Sequence, residues 1–289
     1  MPSRSAMRRP YARPMTSPVA LVTGGSSGIG ESTARALLAK GFLVYAVARR
    51  VDRMASLSDL GVHTFAMDVT DDASMVAGID RIIDEQGRID VLVNNAGYGS
   101  YGAVEDVPID EARRQFEVNV FGLARLVQLV TPHMRQRRSG RIINISSIGG
   151  KFYEPFGAWY HATKFAVEGF SDSLRMELRP FGIQVVLIEP GPIRTEWNEI
   201  ARDSLLERSG DGPYATYARQ AHGVMERFDE PSRASTPDEV ADKIVKAALA
   251  KRPAARYPVG RGARVITTSR DLLPDRVFDE VVSRTYGTR

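Results

Sequence analysis

The sequence predicts an α/β fold, a single doubly wound parallel sheet with helices on both faces. Six short runs rich in β-branched and aromatic residues, at 19–22, 42–47, 62–67, 91–93, 142–145 and 185–188, are separated by stretches long enough for a helix. That is the pattern of βαβ units feeding parallel strands. Between the runs, apolar residues recur every three or four positions, as at Phe116, Val120, Leu123, Val127 and Val130, which marks one buried helix face. A glycine-rich turn sits at the first strand–helix crossing.

Taken in order, the first strand runs into Thr23-Gly24-Gly25-Ser26-Ser27-Gly28-Ile29-Gly30. Glycines there permit positive φ and close approach of a phosphate, while the next helix aims its amides and positive dipole end at the same point. Gly24, Ser26, Ser27, Gly28, Ile29 and Gly30 are therefore candidate contacts of a dinucleotide pyrophosphate. The second strand ends in Arg49 and Arg50, with no acid before Asp52. A guanidinium at that strand end attracts a ribose 2′-phosphate, where an acid would repel it. Arg49, and after it Arg50, thus points to NADP(H) rather than NAD(H).

Beyond the fifth strand lies Tyr160-His161-Ala162-Thr163-Lys164. Its ends are four residues apart, so on a helix the phenol and the ammonium share a face. A nearby cation, together with the positive charge of an oxidised nicotinamide, favours the phenolate, which predicts a Tyr160 pKa drawn down toward working pH. Lysine is scarce: only Lys151 and Lys164 occur between 41 and 242, which argues against Lys164 as a surface filler. From about 193 to 236 the strand–helix alternation lapses in a stretch holding Trp197, Leu205, Tyr214, Tyr217, Met225 and Phe228, read as an inserted lid. Thr236, Pro237 and Glu239 then open a helix ending near Lys251, and 256–259 supplies a last edge strand. Residues 18–289 form one catalytic domain in this reading, with 193–236 as substrate lid and 237–289 as a C-terminal helix/strand extension.

Thr-Gly-x-x-x-Gly-x-Gly after the first strand, Asn94-Asn95-Ala96-Gly97 after the fourth, and Tyr160-x-x-x-Lys164 resemble the classical short-chain dehydrogenase/reductase family. The matching motifs span residues 19 to 195. The resemblance implies a Rossmann domain in which Tyr160 is the acid and base and Lys164 tunes it and holds the cofactor ribose. Ser147, with Ser146 as the alternative, orients the substrate oxygen, and Asn119 holds a water in a proton relay. It also implies that Asp68 and Val69 meet the adenine, that Asn95, Ala96 and Gly97 line the cofactor, and that Pro190, Gly191, Ile193 and Thr195 face the nicotinamide. The implied activity is NADP(H)-dependent hydride transfer to or from a carbonyl or secondary alcohol. Tyr98, Tyr101, Phe152, Tyr153, Phe156 and Trp159 suit a bulky apolar substrate, steroid-, retinoid- or lipid-like, and the long lid resembles hydroxysteroid and retinol dehydrogenase-like members. His222 is a further candidate contact, and His161 reads as filler. A redox sensor without turnover and a 3-oxoacyl carrier-protein reductase are the alternatives. Members of the family pair through the helices around Asn119 and Tyr160, which implies a homodimer or homotetramer.

Composition excludes other chemistries. The chain has 289 residues, no cysteine and four scattered histidines, so thiol nucleophiles, iron–sulfur ligation and histidine-bound metals are not expected. The net charge of +4 traces to Arg4, Arg8, Arg9 and Arg13; without them 35 basic residues face 35 acidic ones. No nucleic-acid partner is implied. Residues 1–17, with Pro2, Pro10 and Pro14, predict a disordered basic tail. No stretch approaches the roughly 20 apolar residues of a membrane span, and the expected compartment is the cytoplasm. A second basic run, 251–270, has six basic residues and no acid and reads as a solvated face.

Overall fold

The computed structural model describes residues 17–288, so the predicted basic tail, apart from Ser17, lies outside the described residues. Seven strands form one sheet: β1 Val19–Thr23, β2 Leu43–Ala48, β3 His63–Ala66, β4 Val91–Asn94, β5 Gly140–Ile145, β6 Ile183–Pro190 and β7 Arg256–Val259. Every pairing is parallel, in the order β3-β2-β1-β4-β5-β6-β7. The order reverses between β1 and β4, where the C-terminal strand ends open a crevice.

The helices are α1 Gly28–Ala39, α2 Ala55–Asp59, α3 Asp72–Gln86, α4 Ile109–Phe116, α5 Leu123–Arg137, α6 Ala158–Leu178, α7 Glu196–Ser209, α8 Ala215–Phe228, α9 Pro237–Leu249, α10 Ala263–Leu272 and α11 Asp275–Tyr286. Alternate strand residues point to opposite faces. Leu21, Tyr45, Leu92, Ile142 and Leu187 pack with α3, α5 and α6 on one side. Val22, Val44, Val93, Ile143 and Ile188 pack with α1 and α9 on the other. Both faces are buried, which explains why the strands read as near-continuous apolar runs.

After β6 the chain leaves the sheet, forms α7 and α8, and returns. The two ends of this excursion are pinned at a neck where Ile193 bridges Ser235, Arg194 N donates to Ser235 O at 3.1 Å and Ser235 N donates to Pro192 O at 3.0 Å. Its core joins Ala201, Leu205, Ala218 and Val224 to Tyr101 and Tyr160. Thr236 and Glu239 form a reciprocal capping box that starts α9, with Pro237 at its first position.

The basic run 251–270 is not simply a solvated face. Arg256 on β7 is only 27% exposed and pairs with Glu168 at 3.0 Å, Asp172 at 2.7 Å and Glu189 at 3.3 Å. Glu168 and Asp172 lie one turn apart on α6, so this edge strand is tied by charge to that helix. The C-terminal extension also exceeds the helix and strand expected, because α10 and α11 follow β7 and bury Phe278 and Tyr286.

Candidate active site

The C-terminal strand ends, α7, α8 and the α10–α11 pair enclose a cavity of about 920 Å³. One end is the glycine turn. Gly24 and Gly28 adopt φ of +67° and +55°, conformations that side chains resist. At Gly30 a Cβ would lie 2.1 Å from Gly24 O and 2.6 Å from Asn95 Nδ2, so the turn closes only on glycine. Thr23 Oγ1 accepts from both Asn95 N and Ala96 N at 3.0 Å, and Asn95 Nδ2 donates to Thr23 O at 2.9 Å. Asn95 therefore braces the turn from β4 besides standing on the cavity wall.

Beside the turn lie Arg49, Arg50, Asp68 and Val69. Arg50 approaches Glu196 of α7 at 3.8 Å, and Arg53, which the sequence reading missed, makes the tighter 2.8 Å pair with that carboxylate. Arg49 has no ion pair among the described residues. Burial opposes ionisation of Asp68, but hydrogen bonds from Thr70 N and Oγ1 and the charge of Arg49 prevail and hold its pKa below the usual carboxylate value.

Ser147, Tyr160 and Lys164 meet on one wall farther along. Ser147 Oγ accepts from Gly149 N at 3.0 Å and donates to Pro190 O at 3.4 Å. Tyr160 is 7% exposed and packs against Tyr101 and Trp197, with ring centroids 5.9 and 5.0 Å apart. Lys164 Nζ lies 5.8 Å from the centre of the Tyr160 ring and donates to Ile145 O at 3.0 Å. Burial lowers the Lys164 pKa to about 8, against a smaller raising influence of Glu168. Burial also pushes the Tyr160 phenol well above its ordinary value; hydrogen bonding with Ser147 lowers it and the charge of Glu154 raises it. In the protein alone, desolvation of the phenolate keeps the Tyr160 pKa raised; the drop predicted from sequence counts also the positive charge of an oxidised nicotinamide.

Asn119 sits in a single π-helical turn, Glu117–Gly122, between α4 and α5. Its Nδ2 donates to Tyr98 O at 2.9 Å and Thr163 Oγ1 at 3.1 Å, and its Oδ1 accepts from Tyr98 N at 3.0 Å. The side chain locks the loop after β4 to α6. Pro190, Gly191, Ile193 and Thr195 line the cavity between the glycine turn and the Ser147 wall.

Tyr98, Tyr101 and Phe152 line the cavity; Tyr153, Phe156 and Trp159 do not. Tyr153 donates to Asp279 at 2.8 Å, Phe156 packs on Tyr214, and Trp159 faces a separate hollow with Phe116 and Phe121. His222 also stands outside the cavity wall. His161 is no filler: it is 5% exposed, Nδ1 lies 2.8 Å from Gly149 O, and Nε2 accepts from Glu154 N at 3.2 Å. The sequence reading missed Glu154 and the α11 residues Phe278, Val282 and Tyr286, all on the wall. The spacing of four between the α11 residues marks one helix face, although nothing local says what that face meets.

The family model for short chain dehydrogenase matches residues 18–205. A 3-ketodihydrosphingosine reductase from Bacteroides thetaiotaomicron is 36% identical over 94% of this chain and 98% of its own length. An NADPH-dependent 3-dehydrocapnine reductase from Ornithobacterium rhinotracheale is 37% identical over 91% of this chain and 95% of its own. Among solved structures, a metagenomic short-chain oxidoreductase in complex with NADP superposes with a TM-score of 0.65 at 27% identity, covering 83% of this chain and 95% of that one.

Proposed function

This chain belongs to the short-chain dehydrogenase family of oxidoreductases, and from that premise we propose that it is an NADP(H)-dependent reductase of a bulky apolar, lipid-like ketone. The observation that carries the reading is one continuous cavity with a phosphate-type turn at one end, Ser147, Tyr160 and Lys164 at its middle and an aromatic and aliphatic lining at the other. Its volume of about 920 Å³ is at the upper end of the usual range for ligand sites.

The residues fit the dinucleotide. Gly30 packs against Gly24 O and lies off the wall, while Gly24, Ser26, Ser27, Gly28 and Ile29 face the cavity for a pyrophosphate; Arg49, with no ion pair among the described residues, suits a 2′-phosphate, and Lys164 spends one of its three donors inside the protein. The remaining donors suit a ribose diol. When bound, the nicotinamide supplies the hydride. Tyr160, held protonated by burial, gives its proton to the developing alkoxide. Ser147 Oγ orients the carbonyl oxygen and shares the developing charge. Lys164 stabilises the phenolate that results and keeps the ribose in place, and Asn119 positions the loop and helix that carry this proton path. Relatives named as reductases support reduction as the direction. Among the described residues no helix is long and apolar enough to cross a membrane, and the reading has the enzyme in the cytoplasm. The exposed Phe121 and the hollow formed by Ile109, Phe116 and Trp159 favour a homodimer or homotetramer built on this face.

The test is NADPH oxidation measured against long-chain aliphatic, steroid and retinoid carbonyls. Tyr160→Phe is expected to lower kcat by at least about a hundredfold with NADPH binding retained. Tight NADPH binding with no turnover on any carbonyl would overturn the reading.

A further inference from the structure

Five carboxylates line the cavity, and four have a cation at hand. Glu111 lies 3.5 Å from Arg208, Glu196 lies 2.8 Å from Arg53, Asp229 pairs with Arg202, and Asp68 feels Arg49 at the glycine-turn end. Glu154 differs: its side chain is 13% exposed, and among the described residues no lysine or arginine is paired with it. Its oxygens accept from the Tyr101 hydroxyl at 3.0 Å and from the Tyr286 hydroxyl.

The one basic ring nearby is satisfied by two backbone partners. His161 Nε2, 3.9 Å from Glu154 Oε1, accepts the Glu154 N–H at 3.2 Å while Nδ1 faces Gly149 O at 2.8 Å. A single neutral tautomer, protonated on Nδ1, satisfies both partners. Two tyrosine hydroxyls reduce the cost of a desolvated carboxylate but bring no counter-charge. Each carboxylate oxygen also keeps acceptor capacity beyond the tyrosine it already holds. The surroundings on the cavity side are apolar, with Phe152, Trp197 and Phe278 on the same wall. Tyr101, whose hydroxyl Glu154 holds at 3.0 Å, packs beside the reacting phenol, with its ring centre 5.9 Å from that of Tyr160.

We propose that Glu154 is a substrate-binding residue, and that the substrate is an apolar ketone bearing a protonated amine close to its carbonyl. The amine supplies the cation that Glu154 lacks, while Ser147 and Tyr160 take the carbonyl oxygen. Tyr101 and Tyr286 aim the carboxylate, so the pairing also fixes which carbonyl of a flexible chain meets Tyr160. This inference rests on the oxidoreductase reading of the same cavity.

Two measurements on the full-length protein test it. Trp197 lies on the cavity wall and Trp159 does not, so tryptophan fluorescence reports binding of decylamine, N-acetyldecylamine and decanol. The wild type is expected to bind decylamine at least about tenfold more tightly than either neutral probe. Glu154→Gln is expected to bring the three within about threefold of one another. In NADPH oxidation, the ratio of kcat/KM for a long-chain 2-aminoketone to that for the plain ketone is expected to fall about tenfold or more in Glu154→Gln. A ratio unmoved by the substitution, or no amine preference in the wild type, overturns the proposal, since a carboxylate that merely holds two tyrosines would alter every ligand alike. The wild-type comparison needs no variant to fold. Amine preference without turnover of any ketone sinks the oxidoreductase reading instead, and ketone turnover without amine preference sinks only this one.

Discussion

Arg49 and Arg50 are neighbours in sequence, yet only Arg50 has an acidic partner on α7, the carboxylate of Glu196. The sequence ranks Arg49 first by its distance from Gly30; the structure adds a physical ground, a guanidinium on the cavity wall that makes no ion pair among the described residues. Arg49→Asp is expected to shift the NADPH-to-NADH ratio of kcat/KM by about tenfold or more toward NADH, and Arg50→Asp by less. Comparing initial rates with the two cofactors decides it. Lys164 was legible through its spacing and the scarcity of lysine, whereas its electrostatic state was not, because that depends on burial. Its folded pKa of about 8 lies below the ordinary 10.5, so between those values the unfolded chain holds a proton that the folded chain has lost. Stability contributed by this group therefore rises with pH across that window, and below pH 8 its full penalty, about 3 kcal/mol, is in force. Lys164→Met is expected to flatten that rise, which urea midpoints at pH 7 and pH 10 would reveal. Glu154 could not be read from sequence at all: Tyr101 and Tyr286, which define its role, are 53 and 132 residues away.

At the scale of elements, β1 to β6 were legible as short apolar runs that local reading detects, and β7, with one buried residue, by its place after the α9 pattern. Helices α10 and α11 were not, since their apolar residues mix buried Phe278 with exposed Val265 and Leu272, and only tertiary contact distinguishes them. The edge strand β7 has a dependence that its four residues do not disclose. Arg256 is the counter-ion of Glu168, Asp172 and Glu189, and burial together with the charge of Glu168 already lifts Glu189 to about 7. Arg256→Leu leaves buried Glu189 without the one cation paired with it among the described residues, while Glu168 keeps Lys151 at 3.1 Å, and is expected to cost about 3–5 kcal/mol of unfolding free energy, read as a lower urea midpoint. Since Glu168 lies on α6 one turn beyond Lys164, the same substitution is also expected to depress kcat. A purely peripheral strand would leave the rate untouched.

At the scale of the whole molecule, the function proposed above assigns binding and reaction to the sheet and its two helical layers, and substrate choice to parts that leave the sheet and come back. The lapse of alternation after 193 located the first of those parts in sequence, but its closure did not show, because the bridge between Ile193 and Ser235 joins residues 42 apart. That bridge has a consequence for inheritance. A segment whose entry and exit already touch can be exchanged between genes as a cassette, since the host sheet sees the same two ends whatever lies between, and loop closure changes only slowly with length. Swapping 194–234 for the corresponding stretch of another short-chain dehydrogenase is expected to preserve the circular dichroism of the parent and to move its ketone preference. New specificities would then spread by recombination at a neck two residues wide, with Ser147, Tyr160 and Lys164 inherited unaltered.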